Sequence, residues 1–218
     1  MTFLVSLTIE RSLTMKSLFA VIFVLSATLF AGVSKSFAQD YIPIFSQDYS
    51  SRLSFEIDPI TFLYKGYSFH VRYQPMFDQR LLIGGGTYAL DLPQQYVNLN
   101  SLNRDEGWDV RIRSAYFIAG EFYAKKANWG WFIGEQIGFQ SFKVTTEKEV
   151  TGSAHFNNIL FLTYAGYSWR PYKGSFYFKP WIGLGYTAKV DGLNKVGSMK
   201  YDISPLFPFL TLHAGYTF

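Results

Sequence analysis

The chain has 218 residues, of which 49% are apolar and 20% aromatic, which suits one domain with a large buried surface. A mean hydropathy of +0.05 argues against a bundle of membrane helices, and the absence of cysteine excludes disulfides and a lipid-anchored cysteine. The formal charge of +4 includes Arg11, Lys16 and Lys35 against Glu10 near the start, which leaves +2 beyond Ala38 and indicates no nucleic-acid partner.

Met15-Lys16, an apolar run over residues 18–33 and Ser36-Phe37-Ala38 read as a secretory signal cleaved after Ala38. Sixteen apolar residues are short for a membrane helix, and Met15 is the expected start of translation. The domain plan is therefore an N-terminal extension with signal peptide over 1–38, a lead-in over 39–52 and a β-barrel domain over 53–218.

The mature chain alternates with a period of two. Leu53, Phe55 and Ile57 oppose Ser54, Glu56 and Asp58 until Pro59 interrupts; residues 60–64 either continue the strand or form an irregular segment. Tyr67, Phe69, Val71 and Tyr73 then oppose Ser68, His70, Arg72 and Gln74. The strand over 81–92 carries Gly84-Gly85-Gly86. No helix pattern or Gly-Lys-Ser/Thr follows, so the glycines mark curvature or a close neighbour rather than a phosphate loop.

After a polar loop over 93–107, Val110, Ile112, Tyr116, Ile118 and Phe122 oppose Asp109, Arg111, Arg113 and Glu121. Over 131–144, Ile133, Ile137 and Phe139 oppose Gly134, Gln136, Gly138 and Gln140; Glu135 falls on the apolar side, which implies a bulge or a wrong face assignment. Residues 158–170 are apolar on both faces, so pattern assigns no register. Over 175–190, Phe176, Phe178, Ile182, Leu184, Tyr186 and Val190 oppose Tyr177, Lys179, Gly183, Gly185, Thr187 and Lys189. In the last segment Leu210, Leu212, Ala214, Tyr216 and Phe218 oppose Thr211, His213, Gly215 and Thr217.

This makes eight strands joined alternately by short turns, near Pro75, Ala127 and Pro171, and long loops, near Asn98, Glu149 and Asn194. The fold class is all-β, an eight-stranded antiparallel up-and-down transmembrane β-barrel. Eight strands leave an interior just wide enough for side chains, so the glycine-rich polar face is expected inside and the aromatic face toward lipid. A lumenal charge network of Arg72, Arg111, Arg113, Glu121, Lys179 and Lys189 follows, and these groups must pair or reach water.

The terminal L-H-A-G-Y-T-F, with Leu212, Tyr216 and Phe218 at alternate positions, resembles the assembly signal of bacterial outer-membrane barrels. With K-G-Y-S-F-H-V-R-Y, W-F-I-G-E-Q-I-G and F-K-P-W-I-G-L-G-Y-T, the chain resembles small Gram-negative barrels of the OmpA, OmpX and OmpW kinds and the uncharacterised outer membrane protein beta-barrel domain group. The resemblance implies a monomer in the cell outer membrane. Its partners would be outer-membrane lipid and, during insertion, the barrel assembly machinery; no nucleic acid and no cofactor are implied. The expected role is structural or loop-mediated binding around a plugged polar lumen, with a narrow porin-like channel for small solutes as the alternative.

Ser68 and His70 share one strand face and raise a further alternative, a hydrolase similar to the lipid A deacylase barrels. Those enzymes act on lipid from an outward-facing triad, whereas Ser68 and His70 are expected inside. The reading is therefore no enzyme and no catalytic residues. His155 and His213 belong to no evident ligand cluster, so no metal is expected.

Overall fold

A computed structural model describes residues 52–148, 152–172 and 174–218; the expected signal peptide and all but the end of the lead-in lie outside the described residues. The alternating segments form β1 (Arg52–Ile57), β2 (Tyr67–Gln74), β3 (Leu81–Asp91), β4 (Trp108–Tyr123), β5 (Gly130–Thr146), β6 (Ala154–Ser168), β7 (Phe176–Gly192) and β10 (Leu206–Thr217). Two short strands, β8 (Lys195–Val196) and β9 (Met199–Lys200), pair within the loop after β7. The eight long strands close into an antiparallel barrel in the order β1-β10-β7-β6-β5-β4-β3-β2. Closure leaves no lipid-facing sheet edge wherever the ladders are complete.

Outward side chains include Phe69, Tyr116, Ile118, Ile137, Ile182 and Leu210, all exposed, whereas Arg72, Glu121 and Lys179 are fully buried within. A soluble barrel would reverse this. Inward glycines are explained by the rings that lie across them: a Cβ on Gly215 would run into the Tyr177 ring, and one on Gly134 into the Tyr164 ring. Gly84 and Gly86 likewise make room for the Arg72 and His70 side chains from β2. The small face is thus a bed for large side chains from neighbouring strands.

Alternation mis-assigned half of β4. Opposite β5, Ile112 pairs with Phe142 and Ser114 with Ser141, which leaves Arg113 as the extra residue of a bulge. A one-residue shift exchanges the faces beyond it, so Val110 and Ile112 are buried inside and Arg111 and Arg113 turn outward. No such shift occurs at Glu135, which stays in register opposite Gly120 and Thr163 on the outward face. In β6 the inward set is Phe156, Asn158, Leu160, Leu162 and Tyr164.

The barrel wall is incomplete on one side. Residues 60–64, left open by the sequence, begin a helix: α1 spans Pro59–Leu63, with Asp58 as N-cap accepting from the Ile60 N–H at 2.9 Å and Pro59 in the first turn, where no N–H is needed. The chain therefore leaves β1 early. The β1–β10 ladder stops at Ile57 opposite Ala214 and the β1–β2 ladder at Glu56 opposite His70. Toward the loop end no strand among the described residues pairs with that edge of β10, although β10 stays paired to β7 as far as Leu206.

Candidate functional site

The half of the lumen near the short turns is filled by ions. Glu56 on β1 accepts from Lys179 Nζ at 2.5 Å and Tyr177 OH at 2.8 Å through Oε1, and from Arg72 Nε at 3.2 Å through Oε2. Glu121 on β4 accepts from Lys179 Nζ at 2.9 and 3.0 Å, from Tyr123 OH at 2.8 Å and from Tyr164 OH at 3.1 Å; Arg72 Nη2 lies 3.5 Å away. Two carboxylates and two cations, each 0–1% exposed, cancel in charge and span the lumen from four strands. Such burial is tolerable only because every carboxylate oxygen has donors.

Beneath this layer the turn between β4 and β5 folds inward. Asn128 holds a left-handed φ of 59°, which a short polar side chain tolerates, and its Nδ2 donates to Ser54 and Thr217 hydroxyls at 3.0 and 3.3 Å. Arg170 donates to the Asn128 carbonyl and to Thr217 Oγ1. The turn end is closed twice over.

Of the six residues expected in a lumenal charge network, the structure brings together Arg72, Glu121 and Lys179. It does not bring in the other three. Arg111 is partly exposed and pairs with Asp91 on the outer side, Arg113 is the bulged residue and is exposed, and Lys189 is exposed at the loop end, where it donates to the Gly192 carbonyl and to Asn194 Oδ1. For Arg111 and Arg113 the cause is the bulge. For Lys189 it is the reach of β7 past the barrel mouth, with a further register shift between Asn157 and Asn158. Sequence reasoning missed Glu56 as the second acid and the tyrosines that complete both carboxylates. The signal was present, since Glu56 alternates with Leu53, Phe55 and Ile57 on the polar side.

Above the ions the lumen becomes an apolar chamber of about 190 Å³, with walls that include Tyr88, Phe117, Leu160, Leu162, Trp181 and Phe209. This overturns the expectation of a polar lumen throughout. The roof is a packed cluster of Val97, Trp108, Phe156, Val196 and Tyr201, and the loops that form it are clamped by Asn103, which donates to the Val97 and Asp202 carbonyls at 3.1 and 2.8 Å. Burial pushes the Tyr201 phenol above its ordinary pKa. Polar groups lie at the floor: Ser68, His70, Asp58, Thr211 and His213.

At the incomplete wall the chamber lining includes Ile60 and Tyr64 from the α1 region, Tyr96 from α2 (Gln94–Val97), and Leu210, whose side chain is on the outer face of β10. The chamber lining thus includes the part of β10 that lies beyond the β1 ladder. Burial raises the Tyr96 pKa, as does nearby Tyr64, and a hydrogen bond from the Leu210 backbone opposes the rise, so Tyr96 satisfies a backbone group of the unpaired β10 edge. Thr211 Oγ1 donates to Asp58 Oδ2 at 2.6 Å, which ties the α1 cap to the same edge.

The structure also gathers histidines that the sequence left apart. Glu56, His70 and His213 place possible ligand atoms within 4.8 Å of one another. Donor chemistry argues against a cation. The Trp181 indole N–H can only donate, and at 3.2 Å it donates to His213 Nε2, which puts the His213 proton on Nδ1, facing Glu56 at 3.2 Å. Arg72 and Lys179 already neutralise that carboxylate. His155 lies apart, exposed, with Ser153 for company at 3.5 Å.

At the other end of the barrel Tyr216 and Phe218 are exposed on the outer face, and Leu212 is half-buried on the same face. The Phe218 ring packs edge-on to Phe55 at 5.4 Å and to Tyr216 at 4.9 Å, and its N–H donates to the Leu53 carbonyl, so the last residue is tied to the first strand.

No protein-family model matches the chain, and no curated protein matches it. Among solved structures it is similar to a major outer membrane protein of Thermus thermophilus, at 10% identity over 78% of this chain and 100% of that one, with a TM-score of 0.45. It is also similar to the N-terminal β-barrel domain of Pseudomonas aeruginosa OprF, at 7% identity over 79% of this chain and 100% of that one, with a TM-score of 0.37. A third is Neisserial surface protein A, at 7% identity over 77% of this chain and 94% of that one, with a TM-score of 0.35.

Proposed function

We propose that the chain is an integral outer-membrane barrel that does not conduct, and that it holds the apolar part of one small single-chain amphiphile in its loop-side chamber. The observation that carries this reading is the position of the opening. The chamber's floor of Ser68, His70 and His213 lies against the ion layer and its roof is packed loops, but its lining includes Leu210 from the outward face of β10. Phe62, Leu63 and Leu210 are exposed around that seam, so an apolar chain entering there leaves lipid without crossing water. Polar floor groups suit the head or a polar bond of such a molecule, and apolar walls with a few placed polar groups are the usual build of a small-molecule site.

The test uses the full chain folded in detergent micelles and a fluorescent polyene fatty acid as probe. Trp181 lines the chamber and should transfer energy to the bound probe. Leu160→Trp fills the chamber and should abolish saturable transfer while the protein keeps its heat-modifiable mobility on a gel. Equal saturable transfer in the parent and in a folded Leu160→Trp variant would refute the chamber as the site.

A further inference from the structure

We propose that Ser68, His70 and Glu56 form an acyl-transfer triad that hydrolyses an ester of the amphiphile in this chamber; the proposal rests on the chamber reading above. Ser68 and His70 are two residues apart on β2, so both side chains point inward, and Ser68 Oγ lies 2.7 Å from His70 Nε2. Both line the chamber floor. The other ring nitrogen, His70 Nδ1, is buried with no hydrogen-bond partner among the described residues, and Glu56 Oε2 is the carboxylate oxygen it faces, at 3.6 Å. This is the order nucleophile, base, orienting acid, with the loose base–acid distance common when no substrate is bound.

The chemistry needs the tautomer with its proton on Nδ1, and the Ser68 contact is compatible with it. When the Ser68 hydroxyl donates to Nε2, the ring proton sits on Nδ1 and is directed at Glu56. Glu56 is itself held by Lys179, Arg72 and Tyr177, and the His70 ring is held edge-on by Phe117 at 4.9 Å and His213 at 4.6 Å. Gly86 opposite leaves the space that the ring occupies, since a Cβ there would lie 2.6 Å from His70 Cδ2. An inward triad would be useless to an enzyme fed from water at a sealed turn end or from lipid around an unbroken wall. The opening at Leu210 removes that objection, because it brings an acyl chain to the inside.

The reaction balances without a redox partner. Ser68 Oγ bonds to the ester carbonyl carbon as its proton passes to His70 Nε2; the bond from that carbon to the alcohol oxygen breaks, and the departing oxygen takes the proton from Nε2. A water molecule then attacks the acyl-Ser68 carbonyl and gives its proton to Nε2. The carbon–Oγ bond breaks, Oγ recovers the proton, and a carboxylic acid leaves.

The experiment uses the folded full chain in micelles, an alkyl fluorophosphonate as covalent probe and p-nitrophenyl esters of short to long acyl chains as substrates. The expected result is labelling mapped by mass spectrometry to Ser68, with hydrolysis that favours the longer acyl chains. Ser68→Ala should lose labelling and lower hydrolysis at least about 10²-fold, and His70→Gln should lower it about 10²- to 10⁴-fold, as for loss of a positioned base. Ser68→Ala removes one oxygen and should keep heat-modifiable mobility, which shows that the variant folds. Fatty-acid binding without Ser68 labelling and without hydrolysis above the Ser68→Ala level would overturn the triad and leave the chamber reading standing. Failure of both binding and labelling would sink both.

Discussion

Replacing Lys179 by Met tests the ion layer at its most connected member. Lys179 Nζ contacts both carboxylates within 3.0 Å and sits 5.5 Å from the Phe132 ring centre. At that separation each ion contact is worth about 5 kcal/mol before desolvation at an effective dielectric near 20. Met fills much of the volume and relieves the cost of burying the ammonium, but among the described residues it leaves Glu56 and Glu121 with Arg72 as the one buried cation between them. An uncompensated buried carboxylate typically costs about 3–5 kcal/mol, and that is the expected loss of unfolding free energy. Urea unfolding of the refolded barrel in lipid vesicles, followed by tryptophan fluorescence, reads it as a shift in midpoint at unchanged slope. The pair Glu121→Gln with Lys179→Met removes one charge of each sign and should lie closer to the parent than Lys179→Met alone, with a coupling energy of at least about 1 kcal/mol. A loss below about 1 kcal/mol for Lys179→Met, or simple additivity in the pair, would refute the reasoning.

Gly215→Ala drives a Cβ into the Tyr177 ring and should push Tyr177 OH off Glu56, lowering stability by about 1–3 kcal/mol in the same urea assay. Arg113→Ala should fall within about 0.5 kcal/mol of the parent, because the side chain is exposed on the bulge and outside the ion layer. Deleting Phe218, or changing it to Asp, should leave export intact and lower insertion, read as loss of the heat-modifiable gel band, whereas Thr217→Ser keeps the hydroxyl that accepts from Asn128 and Arg170 and should insert normally.

Alternation carried β2, β7 and β10 because each keeps one greasy and one polar or small face through the membrane, and the eight-strand count followed. It failed where the inside itself is apolar. β6 shows no clear faces because Leu160 and Leu162 line the chamber while Ile159 and Phe161 face out, so both sides are greasy for different reasons. In β4 the same apolar interior made Val110 and Ile112 look like lipid-facing residues, and the bulge at Arg113 left no composition mark. Glu135 needs no bulge, since simple alternation already places it on the outward face. Asp58-Pro59 reads in the sequence only as an interruption of the strand; it is an N-cap and first-turn proline, and five helical residues are too short to show a period. The site was hardest to read. Glu56, His70 and His213 lie far apart in sequence and meet only because β1 closes on both β2 and β10.

The central claim is that ions seal the turn half of this barrel while its chamber communicates with lipid. Planar-bilayer recording of the purified full chain tests the seal most directly. The account predicts no unitary conductance from the parent, and the appearance of small conductance steps when the layer is thinned by Arg72→Ala combined with Glu121→Ala. Steady ion-selective channels in the parent would contradict it, because the account has the two buried carboxylates and their two buried cations fill the turn half of the lumen.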